Sequence, residues 1–185
     1  PQRRWDSAVG NLVCDAIRAS DQSIDVAMYN AGGLRTSIPK GEITFGRVYE
    51  VVPFDNNLVT VMLTGAQIRV ILEHGLSGPY GVMEISGLQV EFDPDAEPGS
   101  RCKSIHDVSG EVLRDDQLYK VATNEFVLNG GDGYGTFARG TDVHNTHTLI
   151  REVVARYIKH KGTVGRVVEG RYRPCSDRRA PGATN

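Results

Sequence analysis

Leu58 to Leu63 is a run of β-formers, and Thr64 follows it directly as the N-cap of a helix from Gly65 to about His74, with Ile68, Val70, Ile71 and Leu72 available to a core. A strand that passes into a helix across a single capping residue requires a domain that mixes both element types. The surrounding pattern agrees. Val9, Leu12, Val13, Ala16 and Ile17 recur at helical spacing over Ser7 to Arg18 behind the N-cap candidate Asp6, and Ser23 to Tyr29 alternates as a strand with Ile24, Val26 and Met28 on one side. Thr44 caps a short helix over Phe45 to Val51 that must end before Pro53.

Further strands are predicted over Met83 to Phe92, Lys103 to Val108 and Gln117 to Asn124, a helix over about Thr146 to His160, and a last strand over Gly165 to Tyr172. Helix and strand alternate without the regular rhythm of a doubly wound sheet, so the expected fold is α+β, a layered single domain with mixed β-sheets. At 185 residues one domain is expected, over 1–173, with 174–185 as a disordered tail. A net charge of -2 with no basic stripe argues against a nucleic acid polymer as partner, and no apolar run reaches the roughly 18 residues of a membrane span. Cys14, Cys102 and Cys175 have spacings that suit neither a zinc site nor a disulfide framework.

Four loops carry candidate chemistry. In Asn30-Ala31-Gly32-Gly33-Leu34-Arg35, Gly32 and Gly33 let a ligand approach the backbone, Asn30 can donate and accept, and the Arg35 fork matches phosphate or carboxylate oxygens. Pro53-Phe54-Asp55-Asn56 is a stiff loop holding an aromatic ring, and Asn124 to Phe126 offers a second. Asn129-Gly130-Gly131-Asp132-Gly133-Tyr134 surrounds one carboxylate with three glycines. Taken singly, Phe54 and Phe126 read as core residues. Taken together, two rings can sandwich a planar base for about 1 to 3 kcal/mol, Asp132 can accept from a ribose diol, and Arg35 can hold a phosphate.

In order along the chain stand Gly10-Asn11-Leu12 with Asp15-Ala16, the Asn30 to Arg35 loop, Gly41-x-Ile43-Thr44 and Pro53-Phe54-x-Asn56. After these come Leu63-Thr64-Gly65, Leu72-Glu73, Ser86-Gly87-Leu88 and Phe126-x-x-Asn129-Gly130-Gly131-Asp132-Gly133-Tyr134. The series resembles the C-terminal, substrate-binding domain of the 5'-nucleotidase and UDP-sugar hydrolase family. That resemblance implies a nucleoside or nucleotide site in which Phe54 and Phe126 stack on the base, Asp132 contacts ribose, and Asn30 and Arg35 face the nucleoside and phosphate. Asn56, Gly32, Gly33, Asn129 and Gly131 belong to the same motifs. It also implies an N-terminal metallophosphoesterase domain in cis that holds two divalent metals, and a periplasmic, secreted or cell-surface location. Ala8 stands where some members carry a second substrate Arg, and Glu125 before Phe126 is a further local difference.

The family's ordered metal signatures are not found in this sequence. Asp142-x-His144 with His147 mimics one piece but reads as a solvated helix start. The expectation is a recognition domain of a 5'-nucleotidase that holds no metal and does not hydrolyse substrate alone. The alternatives are the same domain of a 2',3'-cyclic-nucleotide or UDP-sugar hydrolase, and a non-catalytic binding module, to which the Ala8 substitution lends weight.

Overall fold

The computed structural model describes residues 5–166 and 168–175. Helix α1 (Ala8–Arg18) is followed by strand β1 (Val26–Asn30), helix α2 (Phe45–Val51), strand β2 (Asn57–Thr64) and helix α3 (Gly65–Ser77). Strands β3 (Met83–Ser86), β4 (Leu88–Phe92), β5 (Cys102–Asp107) and β6 (Leu118–Asn124) come next. The chain closes with the short helix α4 (Glu125–Leu128), strand β7 (Thr141–Leu149), helix α5 (Ile150–Lys161) and strand β8 (Tyr172–Pro174).

A five-stranded sheet runs in the order β3-β1-β6-β2-β7, and a three-stranded sheet in the order β5-β4-β8. Both are mixed. β1 is parallel to β6 and antiparallel to β3, and β4 is parallel to β8 and antiparallel to β5. The large sheet is covered on both faces. Ala27 and Tyr29 of β1 join a core with α1, α2 and α5, while Val26 and Met28 join one with α3 and the small sheet. The layered α+β expectation therefore holds, and β1 is buried along its whole length rather than on one side. Ile24, expected on the side of Val26 and Met28, precedes the strand and packs in the other core.

Local signals explain most boundaries. Thr64 caps α3 through a reciprocal box with Gln67, and Thr44 caps α2. Ser7, not Asp6, caps α1 by accepting from the Gly10 amide at 3.0 Å. Asp6 is occupied elsewhere: it accepts from the backbone amides of Gly170 and Arg171, both at 3.1 Å, and so holds the C-terminal segment against the start of α1.

Three other expectations need correction. Met83 to Phe92 is two strands in different sheets, because Gly87 turns the chain with φ +96° and a Cβ there would collide with the Asp25 carbonyl. The helix expected from Thr146 starts at Ile150. Thr146 to Leu149 end β7, a polar edge strand whose pairing with β2 is interrupted by two register shifts, with Asp142 and His147 at positive φ. Bulges of that kind break the period-2 pattern on which strand recognition depends. The last strand covers Tyr172–Pro174 rather than Gly165 to Tyr172, so Pro174, assigned to the tail, pairs with Phe92. Of the tail expected over 174–185, residues 176–185 lie outside the described residues.

Beneath α1 lies a polar cluster around the buried Arg171. The Arg171 guanidinium pairs with both Asp15 oxygens at 2.8 Å, with Glu169 at 2.8 Å, and donates to the Ile85 carbonyl. Ser86 donates to Asp15 at 2.7 Å, and Ser7 to Glu84 at 2.8 Å. Asp15, a motif residue of the first helix, thus belongs to the packing of the helix on β3, and Asn11, another, donates to Asp6 at 3.5 Å. Burial pushes the Glu84 carboxyl above its ordinary range, hydrogen bonds from Ser7 oppose the shift, and the Asp6 charge adds to it.

This packing can be tested at two residues. Gly87→Ala should destabilise the protein by about 1 to 3 kcal/mol in denaturant titration, and a loss below about 0.5 kcal/mol would mean the corner tolerates a side chain. A carboxyl whose folded pKa is raised contributes most below its unfolded value, so stability is lost as pH rises from 4.5 through the folded value. Glu84→Gln, which keeps an acceptor for Ser7, should therefore gain stability relative to the native protein between about pH 4 and pH 8; parallel thermal-unfolding curves would refute a buried, proton-binding Glu84.

Candidate functional site

The sheet register brings three of the loops to one end. β1 and β6 are parallel neighbours paired at Ala27 and Ala122, so their last residues, Asn30 and Asn124, come out side by side. β2 is antiparallel to β6 with Leu58 opposite Asn124, so the loop before β2, with Phe54, leaves the same edge as Phe126 just after β6. The glycine loop follows α4 and returns to this edge.

A chain of amides fixes the loops to each other. Asn124 accepts from the Val127 amide at 2.9 Å as the N-cap of α4 and donates through Nδ2 to Asn30 Oδ1 at 3.0 Å. Asn30 in turn donates through Nδ2 to Asp132 Oδ2 at 2.6 Å. Both asparagines are buried, so these bonds also satisfy polar groups that water cannot reach. Asp132 itself sits in left-handed backbone, φ 54° and ψ 25°, a conformation costing about 1 to 3 kcal/mol at a non-glycine residue. Its carbonyl lies 2.9 Å from His74 Nε2 on α3, and since a carbonyl only accepts, that nitrogen is the donor.

The two rings are exposed, Phe54 at 43% and Phe126 at 44%, where isolated phenylalanines are normally buried. Phe126 lies against Gly131, where any Cβ would collide with the ring. The Arg35 guanidinium lies 6.0 Å from the centre of the Phe54 ring and donates to the Gly32 carbonyl at 3.3 Å. The Phe54 loop is tied down from behind by Arg151 of α5, which pairs with Asp55 at 2.5 Å, donates to the Phe54 carbonyl at 3.3 Å and stacks over Tyr49.

The sequence-derived candidates divide accordingly. Asn30, Asp132, Gly131 and Phe126 form one contiguous group, Arg35 and Phe54 a second, and Gly32 borders both, bonded by Arg35 at its carbonyl and facing the Asp132 carboxylate. Gly32 is open to solvent, whereas Gly33 is buried with the Tyr29 ring where a Cβ would stand, so its small size serves packing. Asn56 is half-buried and gives its carbonyl to the first amide of α5; Asn129 is exposed and ends α4. Ala8 opens α1, whose cap Ser7 bonds Glu84, and Glu84 pairs with Tyr29, one residue before Asn30.

Asn124, His74, Arg151 and Asn57 were not named as site residues from sequence. Asn124 had a signal, an Asn ahead of a short apolar helix. Asn57 reaches Glu125 at 3.1 Å, which gives that local difference a partner. His74 and Arg151 act across long sequence separations and leave no local trace. Asp142, His144 and His147 lie on β7, in the strand that leads into α5 at Ile150 rather than in a helix, and among the described residues no group of three or more His, Cys, Asp or Glu side chains could hold a metal ion.

Comparison with known proteins bears on the family and the fold. Residues 1–139 match the family model described as "5'-nucleotidase, C-terminal domain". The chain is 34% identical over 181 residues to the trifunctional nucleotide phosphoesterase protein YfkN of Bacillus subtilis, covering 91% of this chain and 12% of that protein. It is also 34% identical over 179 residues to the cell wall protein Lmo0130 of Listeria monocytogenes, covering 88% of this chain and 22% of that protein. Among solved structures, the 5'-nucleotidase precursor from Thermus thermophilus superposes with a TM-score of 0.89 at 34% identity, over 95% of this chain and 36% of that one. The chain thus spans a minor part of each relative. Fold, motif order and family model converge: the chain belongs to the 5'-nucleotidase C-terminal domain family.

Proposed function

We propose that this chain is the nucleotide-recognition domain of a metal-dependent 5'-nucleotidase-type hydrolase, which converts a nucleotide and water to nucleoside and phosphate. The observation that carries the reading is the pair of exposed phenylalanines at one sheet edge, flanked by Arg35 on one side and the Asn30–Asp132 pair on the other. The base would lie between Phe54 and Phe126, with Asn56 and Asn129 at its margins. Asp132 has one carboxylate oxygen on Asn30 and accepts from the ribose diol with its remaining lone pairs. Arg35, aligned along Phe54, takes the phosphate.

Hydrolysis needs a metal-activated water, and the donors for two cations would come from an N-terminal metallophosphoesterase domain, since this chain's described residues group no such set. The chain's own contribution is to bind, orient and strip water from the nucleoside. The domain would work outside the cytoplasm, a placement in keeping with the cell wall protein among its relatives; no helix among the described residues is long and apolar enough to cross a membrane. A related specificity, for 2',3'-cyclic nucleotides or UDP-sugars, is favoured by one observation: stacking accepts any base, and the B. subtilis relative is named trifunctional. Turnover of AMP, a 2',3'-cyclic nucleotide and a UDP-sugar by the full-length protein decides among the three, and inactivity with all three would sink the reading.

Two substitutions in the full-length protein test the roles. Phe126→Ala should weaken nucleoside binding by at least tenfold, about 1.4 kcal/mol, with the unfolding midpoint little changed because the ring is exposed. Unchanged affinity in calorimetry would remove Phe126 from the site. Asp132→Asn should weaken adenosine more than 2',3'-dideoxyadenosine, and equal losses would argue against a diol contact.

A further inference from the structure

We propose that His74 is a positioning residue for this site: by clamping the Asp132 carbonyl from α3, it sets where the Asp132 carboxylate meets the ribose. The ribose role rests on the function proposed above; the clamp itself rests on geometry alone. Three observations support it. His74 Nε2 donates to the Asp132 carbonyl at 2.9 Å, and Asp132 is the one non-glycine residue of the glycine loop with left-handed backbone. The imidazole is held edge-on to the Tyr134 ring, centroids 4.6 Å apart, and lies against Gly133 where a Cβ would stand. Tyr134 is itself buried against Phe137 and Gly75.

His74 is therefore wedged between the residues that follow Asp132 and the helix that carries it. Asp132 is then fixed at two points of opposite origin. The relay from β1 and β6 reaches its carboxylate through Asn30, and α3 reaches its backbone through His74. With the carbonyl held, rotation about the left-handed backbone cannot swing the carboxylate away from Asn30. Without it, only the side-chain bond remains, and the loop can relax toward ordinary backbone by moving the carboxylate. The neutral ring can serve as donor with the proton on Nε2, so the clamp does not require a charged histidine.

The test uses the full-length protein with His74→Ala and His74→Gln, since a glutamine amide can place a donor where imidazole Nε2 stood. Amide hydrogen exchange over residues 130–134 reads the clamp without any ligand, and the Tyr134 amide, bonded to the Gly131 carbonyl at 3.2 Å, is its reporter. His74→Ala should speed that exchange by about tenfold and His74→Gln should restore most of it. Adenosine should bind His74→Ala about tenfold more weakly, with 2',3'-dideoxyadenosine changed less than about threefold. Unchanged exchange in His74→Ala, or a His74→Gln variant no better than alanine, overturns the proposal. If the native protein itself shows no preference for adenosine over the dideoxy form, the ribose assignment of Asp132 falls, and the clamp stands or falls on exchange alone.

Discussion

The site hangs on two buried asparagines. Asn30 and Asn124 end parallel strands at the centre of the large sheet, and each uses both halves of its amide. A buried amide left without a partner costs about 1 to 3 kcal/mol, so the Val127 amide, Asn124, Asn30 and Asp132 hold one another in a single orientation. Reversing either amide would set donor against donor. The relay thereby transmits the rigidity of the sheet into a loop rich in glycine, at the Asp132 carboxylate. Binding residues on loops need such a scaffold, because disorder in the free site would weaken every ligand contact.

The motifs that mark this family do two different jobs. Gly10 lies against Glu84, Asn11 bonds Asp6, and Asp15 bonds Ser86 and Arg171, so these motif residues tie the first helix to β3 and to the segment that leads into the last strand. Glu73 similarly accepts from the Gly99 and Cys102 amides and fastens α3 to the small sheet; burial raises its carboxyl pKa, and the bonds from Ser77, Cys102, Arg101 and Gly99 together more than offset that and lower it. Only the Asn30, Phe54 and Phe126 to Tyr134 motifs converge on one edge. A residue's presence in a family pattern therefore does not by itself place it near a ligand. Arg171 shows the converse, a buried cation with no motif around it that gathers two carboxylates and a carbonyl.

Most of the architecture is legible in the sequence, and the failures have physical causes. Caps at Thr44 and Thr64, the β-rich run into α3 and the turn after Asn30 are local signals, and each produced the element expected. Asp6 was misassigned as a cap because its partners, Gly170 and Arg171, are more than 160 residues away. The break at Gly87 was hidden because it lies inside one stretch of strand material, Met83 to Phe92, in which apolar residues recur on both sides of the glycine. β7 was hidden for the opposite reason, being polar and irregular. At the site, the residues that touch solvent could be named from sequence. Of the residues that hold them, Asn124 carries a local capping signal, whereas His74 and Arg151 depend on tertiary contacts that no spacing encodes.

The irregularity of β7 also bears on how copies of this domain meet one another. A straight outer strand of nine residues would present a row of free backbone donors and acceptors on which another chain could build. Left-handed residues at Asp142 and His147 and the shifted register with β2 turn that row out of line. On this side the large sheet ends in an edge that discourages extension by the strand of a neighbouring chain.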